Sequence, residues 1–263
     1  MKYIDKTTES GKVVKIKNYK KRAKINKFKR KMLLLFLIVL AVTLVLTYAP
    51  FMKITKINCA GNEKITSEDV ISASKICIGN NIFRVNKNKA IDNIKTIPYI
   101  KDVSIKRKLP STMNITVTEN RVYSYINLDN MYIYIDDTGK ILEESEIPPE
   151  TSCPILSGVK VKTHKVNEII ELKDANKIKS YAVLMKVLSN SDFADKVTLI
   201  NIENLNDIRV TVSNSLEIII GNTDNLDYKI NFLASGAYDN IGDNRSGTLD
   251  VSYGSNAVYK EVQ

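Results

Sequence analysis

The sequence predicts an α+β protein: a single transmembrane helix, then a β-α-α-β-β unit, then a mainly antiparallel β-domain with two helices. Three observations predict this fold: an uncharged apolar run near the N-terminus, a strand–helix–helix–hairpin succession after it, and a long series of alternating strands. We place the boundaries at residues 1–31 for a basic tail, 32–52 for the membrane helix, 53–121 for the first unit and 122–263 for the β-domain.

The positive charge of the chain lies almost entirely in the tail. Residues 1–31 hold 13 Lys/Arg and two Asp/Glu, which leaves 26 Lys/Arg and 27 Asp/Glu in the rest of the chain. A basic arm could bind nucleic acid, but the positive-inside rule of membrane proteins accounts for the same charge. We therefore expect a membrane and no nucleic acid as partner of this tail.

The apolar run from Met32 to Ala49 contains no charge in 18 positions. A helix of this length rises far enough, at about 1.5 Å per residue, to cross most of a hydrocarbon core roughly 30 Å thick. A cleaved signal peptide is the alternative, but its apolar region is usually shorter, and Pro50 makes a poor cleavage context. A buried core helix fits the run less well. The tail should face the cytoplasm, and the rest of the chain should lie outside it.

The first unit begins with a strand from Ile54 to Asn62 that ends in a turn at Gly61. Thr66 or Ser67 can cap a short helix, and Asn86 can cap a second one that Pro98 ends. A hairpin with a corner at Pro110-Ser111 follows. Its apolar positions alternate with polar ones and should form the buried face of a three-stranded sheet: Val103, Ile105, Met113, Ile115 and Val117. Lys106 and Lys108 fall on the wet face, where charge protects a sheet edge.

The β-domain opens with a segment from Val122 to Glu144 that we interpret as a strand pair closed by a turn at residues 137–139. Asp174 should cap an amphipathic helix, and three strands with Asn-rich turns should follow it. A second helix has Leu226 on its apolar stripe. The segments "GTLDVSYG" and "NAVYKEVQ" close the domain as strand material. The apolar stripe of the first helix is Ile178, Tyr181, Met185 and Leu188, and that of the second continues through Ile230 and Leu233.

The residues that could carry chemistry do not form a catalytic or metal-binding set. Three cysteines without a C-x-x-C pair, and one histidine, exclude a zinc cluster of the usual ligand spacing. Cys59 and Cys77 could form a disulfide outside the cytoplasm, or the cysteines could be small buried apolar residues. His164 lies in a polar stretch, and a turn explains Asp136-Asp137. We expect no enzyme activity, cofactor or metal.

Several motifs occur here in a specific order. They are "KINCAGN", "GNNIF", "IPYIK" and the hairpin "RKLPSTMNITVTENR", followed by "DDTGKIL", "IIIGN", "YKINFL" and "LDVSY". In this order, behind a basic tail and one apolar helix, they resemble the DivIB/FtsQ family of bacterial division proteins. The resemblance implies a POTRA domain at residues 53–121 and the family's β-domain after it.

The resemblance also implies a function. Such a protein is a non-enzymatic scaffold enriched at the division septum, which binds small coiled-coil proteins of the DivIC/FtsB and FtsL types and helps to position or regulate the septal peptidoglycan synthase. In the family, the last strand of the β-domain adds a partner strand, and here the resemblance assigns that strand to "GTLDVSYGSNAVYK". This implies Tyr253, Ser255, Val258 and Tyr259 as partner-facing residues, although Tyr253 could instead pack on the core, and Tyr259-Lys260 replace the Gly-Trp of some relatives. A POTRA-bearing piece of another envelope assembly or secretion machine, or a membrane-anchored wall hydrolase, are the alternatives.

Overall fold

The computed structural model describes residues 19–48, 50–149, 153–212, 216–238, 241, 246–254 and 256–261. Its first helix, α1 (Tyr19–Tyr48), runs through most of the apolar segment, and each of its described side chains, from Lys27 to Val45, is exposed. Among the described residues, none of the helices combines the length and hydropathy needed to cross a bilayer. The membrane-spanning role of residues 32–52 therefore stays a prediction, and residues 1–18 of the basic tail lie outside the described part.

The first unit has the predicted β-α-α-β-β order. Its elements are β1 (Lys56–Ala60), α2 (Ser67–Ser74), α3 (Lys87–Ile94), β2 (Ile100–Lys108) and β3 (Thr112–Glu119). Strand β3 is central, parallel to β1 on one side and antiparallel to β2 on the other, so β1 and β2 are edges. Both helices begin at a side-chain cap, because Thr66 Oγ1 and Asn86 Oδ1 accept hydrogen bonds from Asp69 N–H and Lys89 N–H.

The buried face of the hairpin is the predicted one. Five alternating apolar side chains are buried and join one cluster with residues of α2 and α3: Val103, Ile105, Met113, Ile115 and Val117. Lys106 and Lys108 are exposed on the edge strand β2. The alternation of apolar and polar residues was sufficient to predict the buried face, because the helices cover one face of this sheet and leave the other open.

The cysteines agree with one of the two alternatives, unpaired cysteines, but Cys77 is not buried. All three are free thiols, so Cys59 and Cys77 do not form a disulfide. Cys77 is exposed, and its interpretation as a buried apolar residue is wrong. The neighbouring Ile76 occupies the buried position after α2 instead, with 5% exposure. Cys59 and Cys153 are half-buried.

The second unit is built on a sheet of nine described strands, in the order β14-β13-β12-β11-β10-β7-β4-β5-β6, with mostly antiparallel pairs. The strands are β4 (Ser124–Leu128), β5 (Met131–Ile135), β6 (Ile141–Ser145), β7 (Ile155–Ser157), β10 (Val197–Asn201), β11 (Ile208–Val212), β12 (Leu216–Gly221), β13 (Gly247–Asp250) and β14 (Val258–Glu261). A small separate ribbon consists of β8 (Val161–Thr163) and β9 (Glu171–Leu172).

The start of this unit contains three strands where the sequence predicted two. A turn at Asp129-Asn130 separates β4 from β5, and both residues have positive φ, 47° and 69°. This is the backbone geometry of a tight hairpin turn, which Asn and Asp tolerate better than most residues. The turn at residues 137–139 joins β5 to β6 instead.

Two helices cover the core side of the sheet, as predicted. Helix α4 (Ala175–Leu188) begins at Asp174, whose Oδ1 accepts a hydrogen bond from Asn176 N–H. Helix α5 (Leu226–Phe232) runs on into a π turn at Leu233–Ala237. The predicted stripe residues all belong to or pack against one large apolar cluster: Ile178, Tyr181, Met185, Leu188, Leu226, Ile230 and Leu233.

A polar junction joins the two units. Tyr99 OH donates a hydrogen bond of 2.6 Å to Glu143 on β6, and Lys64 Nζ donates to the same carboxylate oxygen at 3.0 Å. Lys140 Nζ also donates to Pro98 O at 2.9 Å. The hydrogen bonds from Tyr99 and Lys64 lower the pKa of Glu143, while burial, followed by the Glu143 carboxylate, raises the pKa of Tyr99.

Candidate partner-binding edge

Strand β14 forms one edge of the nine-stranded sheet. It pairs only with β13 among the described strands, in a short antiparallel register from Gly247–Glu261 to Asp250–Val258. Three of its four residues are exposed. An edge strand presents unpaired backbone N–H and C=O groups, so β14 offers a template to which another chain can add a strand.

The two predicted residues on this strand point to opposite faces. Val258 is 51% exposed, whereas Tyr259 is half-buried and packs against the core of the second unit. Tyr259 OH donates a hydrogen bond of 3.0 Å to Ser246 O, which fixes the ring beside β13. Of the two, Val258 is the side chain that a partner could contact directly, and Tyr259 holds the strand in place.

Gly247 lets β14 lie close to β13. Its φ is +152°, and a Cβ at this position would lie 2.3 Å from Lys260 O and 3.1 Å from the ring of Tyr259. A side chain here would therefore push the edge strand away.

Tyr253 does not lie on a strand. The segment that the sequence predicted as one continuous edge consists of β13, a turn around residues 252–254, and β14. Tyr253 is 82% exposed in this turn, so the alternative that it packs on the core is wrong. Ser255 lies outside the described residues. The structure therefore brings Val258 and Tyr259 together on β14 and leaves Tyr253 beside the strand.

Sequence reasoning missed Tyr228, which adds a second exposed aromatic residue to this region. Tyr228 on α5 is 54% exposed, and it lines a groove of about 530 Å³ together with Tyr253 and Gly254. Its ring stacks on Phe232, with centroids 6.5 Å apart. The signal was present in the sequence, because Tyr228 follows the stripe residue Leu226 by two positions and so faces away from the core.

Lys229 ties this aromatic surface to the sheet. Its side chain is buried, and Nζ donates to Ile220 O at 3.0 Å and to Asn222 O at 3.2 Å, at the end of β12. Burial lowers the pKa of Lys229, and the nearby Asp224 carboxylate opposes that shift. The hydrogen bonds hold α5, and with it Tyr228, at a fixed position against β12.

The other polar groups that the sequence singled out have structural partners. Asp136 is buried, and its Oδ1 accepts hydrogen bonds from Thr138 N–H at 2.8 Å and Lys140 N–H at 3.0 Å. Nδ1 of His164 lies 2.8 Å from Glu144 Oε1, at the surface. In the part of the chain that the structure describes, no three His, Cys, Asp or Glu side chains converge in the manner of a metal site.

Residues 52–120 match the family model of the FtsQ-type POTRA domain. This range covers the β-α-α-β-β unit, so the class of the molecule is an FtsQ-type POTRA protein that carries a second, largely β unit.

Curated relatives extend the similarity beyond this unit. The chain is 32% identical to cell division protein DivIB of Clostridium botulinum strain Hall over 247 residues, which cover 94% of each chain. It is 34% identical to the DivIB of Clostridium acetobutylicum over 214 residues, 81% of this chain and 85% of the relative. A more distant similarity, 28% over 145 residues, links it to the DivIB of Bacillus subtilis. The chain belongs to the DivIB/FtsQ family, and the resemblance noted from its motifs is confirmed.

Proposed function

We propose that this protein is a non-enzymatic, membrane-anchored scaffold of the bacterial division machinery. The observation that carries the proposal is the open edge at β14, with exposed Val258 on the strand and exposed Tyr228 and Tyr253 beside it. Strand addition supplies affinity through main-chain hydrogen bonds, and neighbouring side chains supply specificity. Aromatic residues are enriched at such interfaces because they bury a large area at a low cost in conformational entropy. The relatives named cell division protein DivIB support the division setting.

A single membrane span at residues 32–52 anchors the scaffold, with the basic tail in the cytoplasm and both folded units outside. Support comes from the uncharged run Met32–Ala49 and from the exposure of its side chains from Met32 to Val45. A helix that is apolar on all sides needs an apolar surrounding, which either a protein core or a bilayer provides.

The partners of the β14 edge are the extracytoplasmic segments of the DivIC/FtsB-like and FtsL-like coiled-coil proteins. Through them the scaffold helps to position or regulate the septal peptidoglycan synthase. The POTRA domain comprises residues 53–121 and the β-domain residues 122–263, so the partner-binding edge belongs to the β-domain. No catalytic step is part of the proposal, because Asp136 has a structural role in its turn and His164 pairs with Glu144 at the surface.

The test is co-purification of the full chain with its partners from solubilised membranes. The double variant Tyr253→Ala/Val258→Glu removes an aromatic contact and places a charge on the edge, and we expect it to lose the coiled-coil proteins. Because both side chains are exposed, the variant should change the free energy of unfolding by no more than about 0.5 kcal/mol per position. Val183→Glu on α4 is the matched control, since Val183 is 48% exposed, close to the value for Val258.

A fluorescent fusion of the wild-type chain gives an independent measurement, and we expect it at mid-cell. An even distribution around the cell would argue against a division scaffold. Mid-cell localisation with undiminished partner recovery by the double variant would instead place the binding site elsewhere on the protein.

A further inference from the structure

The loop after α2 is held against the segment that follows α1. Ile82 N–H donates to Met52 O at 2.9 Å, and Ile54 exchanges two hydrogen bonds of 2.8 Å with Gly79 and Asn80. Met52 follows the end of α1 at Tyr48 by four positions along the chain, and this length of chain reaches at most about 14 Å. Met52 therefore lies within about 14 Å of the end of α1, and the loop is hydrogen-bonded directly to Met52.

The corner of the β2–β3 hairpin lies at the same end of the POTRA unit. Thr55 N–H donates to Ser111 O at 2.9 Å, which places the corner beside the same linker segment. Two structural elements that are distant in sequence thus converge where the chain leaves α1.

These elements expose apolar side chains at this end. Phe51, Ile78, Phe83 and Leu109 are 59%, 69%, 39% and 57% exposed. Isolated exposed apolar residues are common, but four large ones around one linker indicate a surface that contacts another molecule or a membrane.

A basic groove lies beside them. It has a volume of about 690 Å³, and its lining includes Lys53, Lys75, Arg84 and Lys89, with no Asp or Glu among the described lining residues. The sequence agrees with this charge, because residues 70–91 contain four Lys/Arg and no acidic residue. The groove thus offers a positive potential next to apolar side chains.

We propose that this end of the POTRA domain rests on the outer leaflet of the bilayer that holds α1. We call it the membrane-facing surface and define it by Phe51, Ile78, Phe83, Leu109 and the basic groove. The apolar side chains enter the headgroup region, and the lysine ammonium groups lie near the phosphates of anionic lipids, the arrangement of proteins that bind at membrane interfaces. The inference rests on the proposed anchor at residues 32–52, which brings this surface to the lipid.

The position of the surface selects lipid over a protein partner. A protein would have to reach the surface beside Met52, at the end of the proposed span, where headgroups already occupy the space. Each lysine close to an anionic membrane should favour the docked state about fivefold. The docked state therefore depends on lipid charge and on ionic strength.

Tryptophan fluorescence can test the inference, because the chain contains no Trp. The full-length variant Ile78→Trp is reconstituted into vesicles that contain phosphatidylglycerol and a lipid brominated near the headgroup, which quenches nearby Trp. We expect strong quenching for Ile78→Trp. The reporter Tyr253→Trp lies near β14, at the edge of the large sheet opposite to β6. Its fluorescence should not be quenched.

The charge requirement is tested in the same vesicles. Lys53→Gln and Lys89→Gln, combined in the Ile78→Trp chain, should shift docking about 25-fold towards the free state and so remove the quenching. Lys179→Gln and Lys186→Gln on α4 change the net charge by the same amount and should leave the quenching of Ile78→Trp intact. Vesicles that keep the brominated lipid but contain phosphatidylcholine in place of phosphatidylglycerol should give the same loss of quenching as the first lysine pair.

Flotation of the vesicles separates the two proposals. If the chain fails to float with the vesicles, the anchor is refuted. A chain that floats while Ile78→Trp remains unquenched refutes the membrane-facing surface and leaves the anchor intact. The surface is also refuted if the quenching of Ile78→Trp is unchanged by the Lys53 and Lys89 substitutions, or if it equals the quenching of Tyr253→Trp.

Discussion

Arg107 holds the loop after α2 against strand β2, and its removal should release that loop. The guanidinium donates from Nε to Ile82 O and from Nη2 to Val85 O, both at 2.8 Å. Hydrogen bonds from a charged donor contribute about 1.5–3 kcal/mol each. Arg107 is half-buried and water can reach part of the site, so we take the lower bound for both bonds. Arg107→Met, which keeps most of the apolar stem, should therefore cost about 3 kcal/mol.

Hydrogen exchange at single amides measures this cost where it arises. The Ile82 amide, bonded to Met52 O, should exchange up to about 150-fold faster in Arg107→Met, since every 1.36 kcal/mol is a factor of ten. Lys106→Met on the same strand is the control, because Lys106 is exposed and its loss should change stability by less than about 0.5 kcal/mol. Exchange at Ile82 that is the same in both variants would refute this role of Arg107.

Two further predictions concern the junction and the edge. The pKa of Glu143 lies below its ordinary value of 4.5, so the carboxylate stabilises the fold above that pH, and this contribution is lost as pH falls through the lowered pKa. Urea unfolding of Glu143→Gln should therefore show a weaker loss of stability on acidification than the wild type, and identical acid profiles would contradict the role of the junction. Gly247→Ala should cost about 1–3 kcal/mol locally, because its Cβ would collide with Lys260 O at a positive φ. Loss of amide protection in β14 measures this effect, and full protection there would count against it.

The sequence predicted the POTRA unit well because local rules govern it. Thr66 and Asn86 cap the helices as expected, and the alternation of Met113, Ile115 and Val117 sets the buried face of β3. Each of these features depends on residues that are near neighbours in the chain. Covering one side of the sheet with helices makes the pattern easy to interpret.

The features that escaped prediction depend on contacts between distant residues or on unusual turns. Lys64, Tyr99 and Glu143 meet across a junction although 35 and 44 residues separate them along the chain. The Asp129-Asn130 turn lacks the glycine that marks such turns most clearly, so β4 and β5 were read as one strand. Tyr253 looks like a strand residue by alternation, yet the chain reverses there before β14 begins.

The order of the nine strands sets a length. The POTRA unit touches β6 at one side of the sheet, and β14 is eight strand spacings away, which amounts to about 38 Å at roughly 4.8 Å per spacing. The sheet thus separates the β14 edge from the strand that contacts the POTRA unit by this distance. A helix of the same length contains about 25 residues, so under the proposed function the length of a coiled-coil partner decides whether it reaches from the junction to β14.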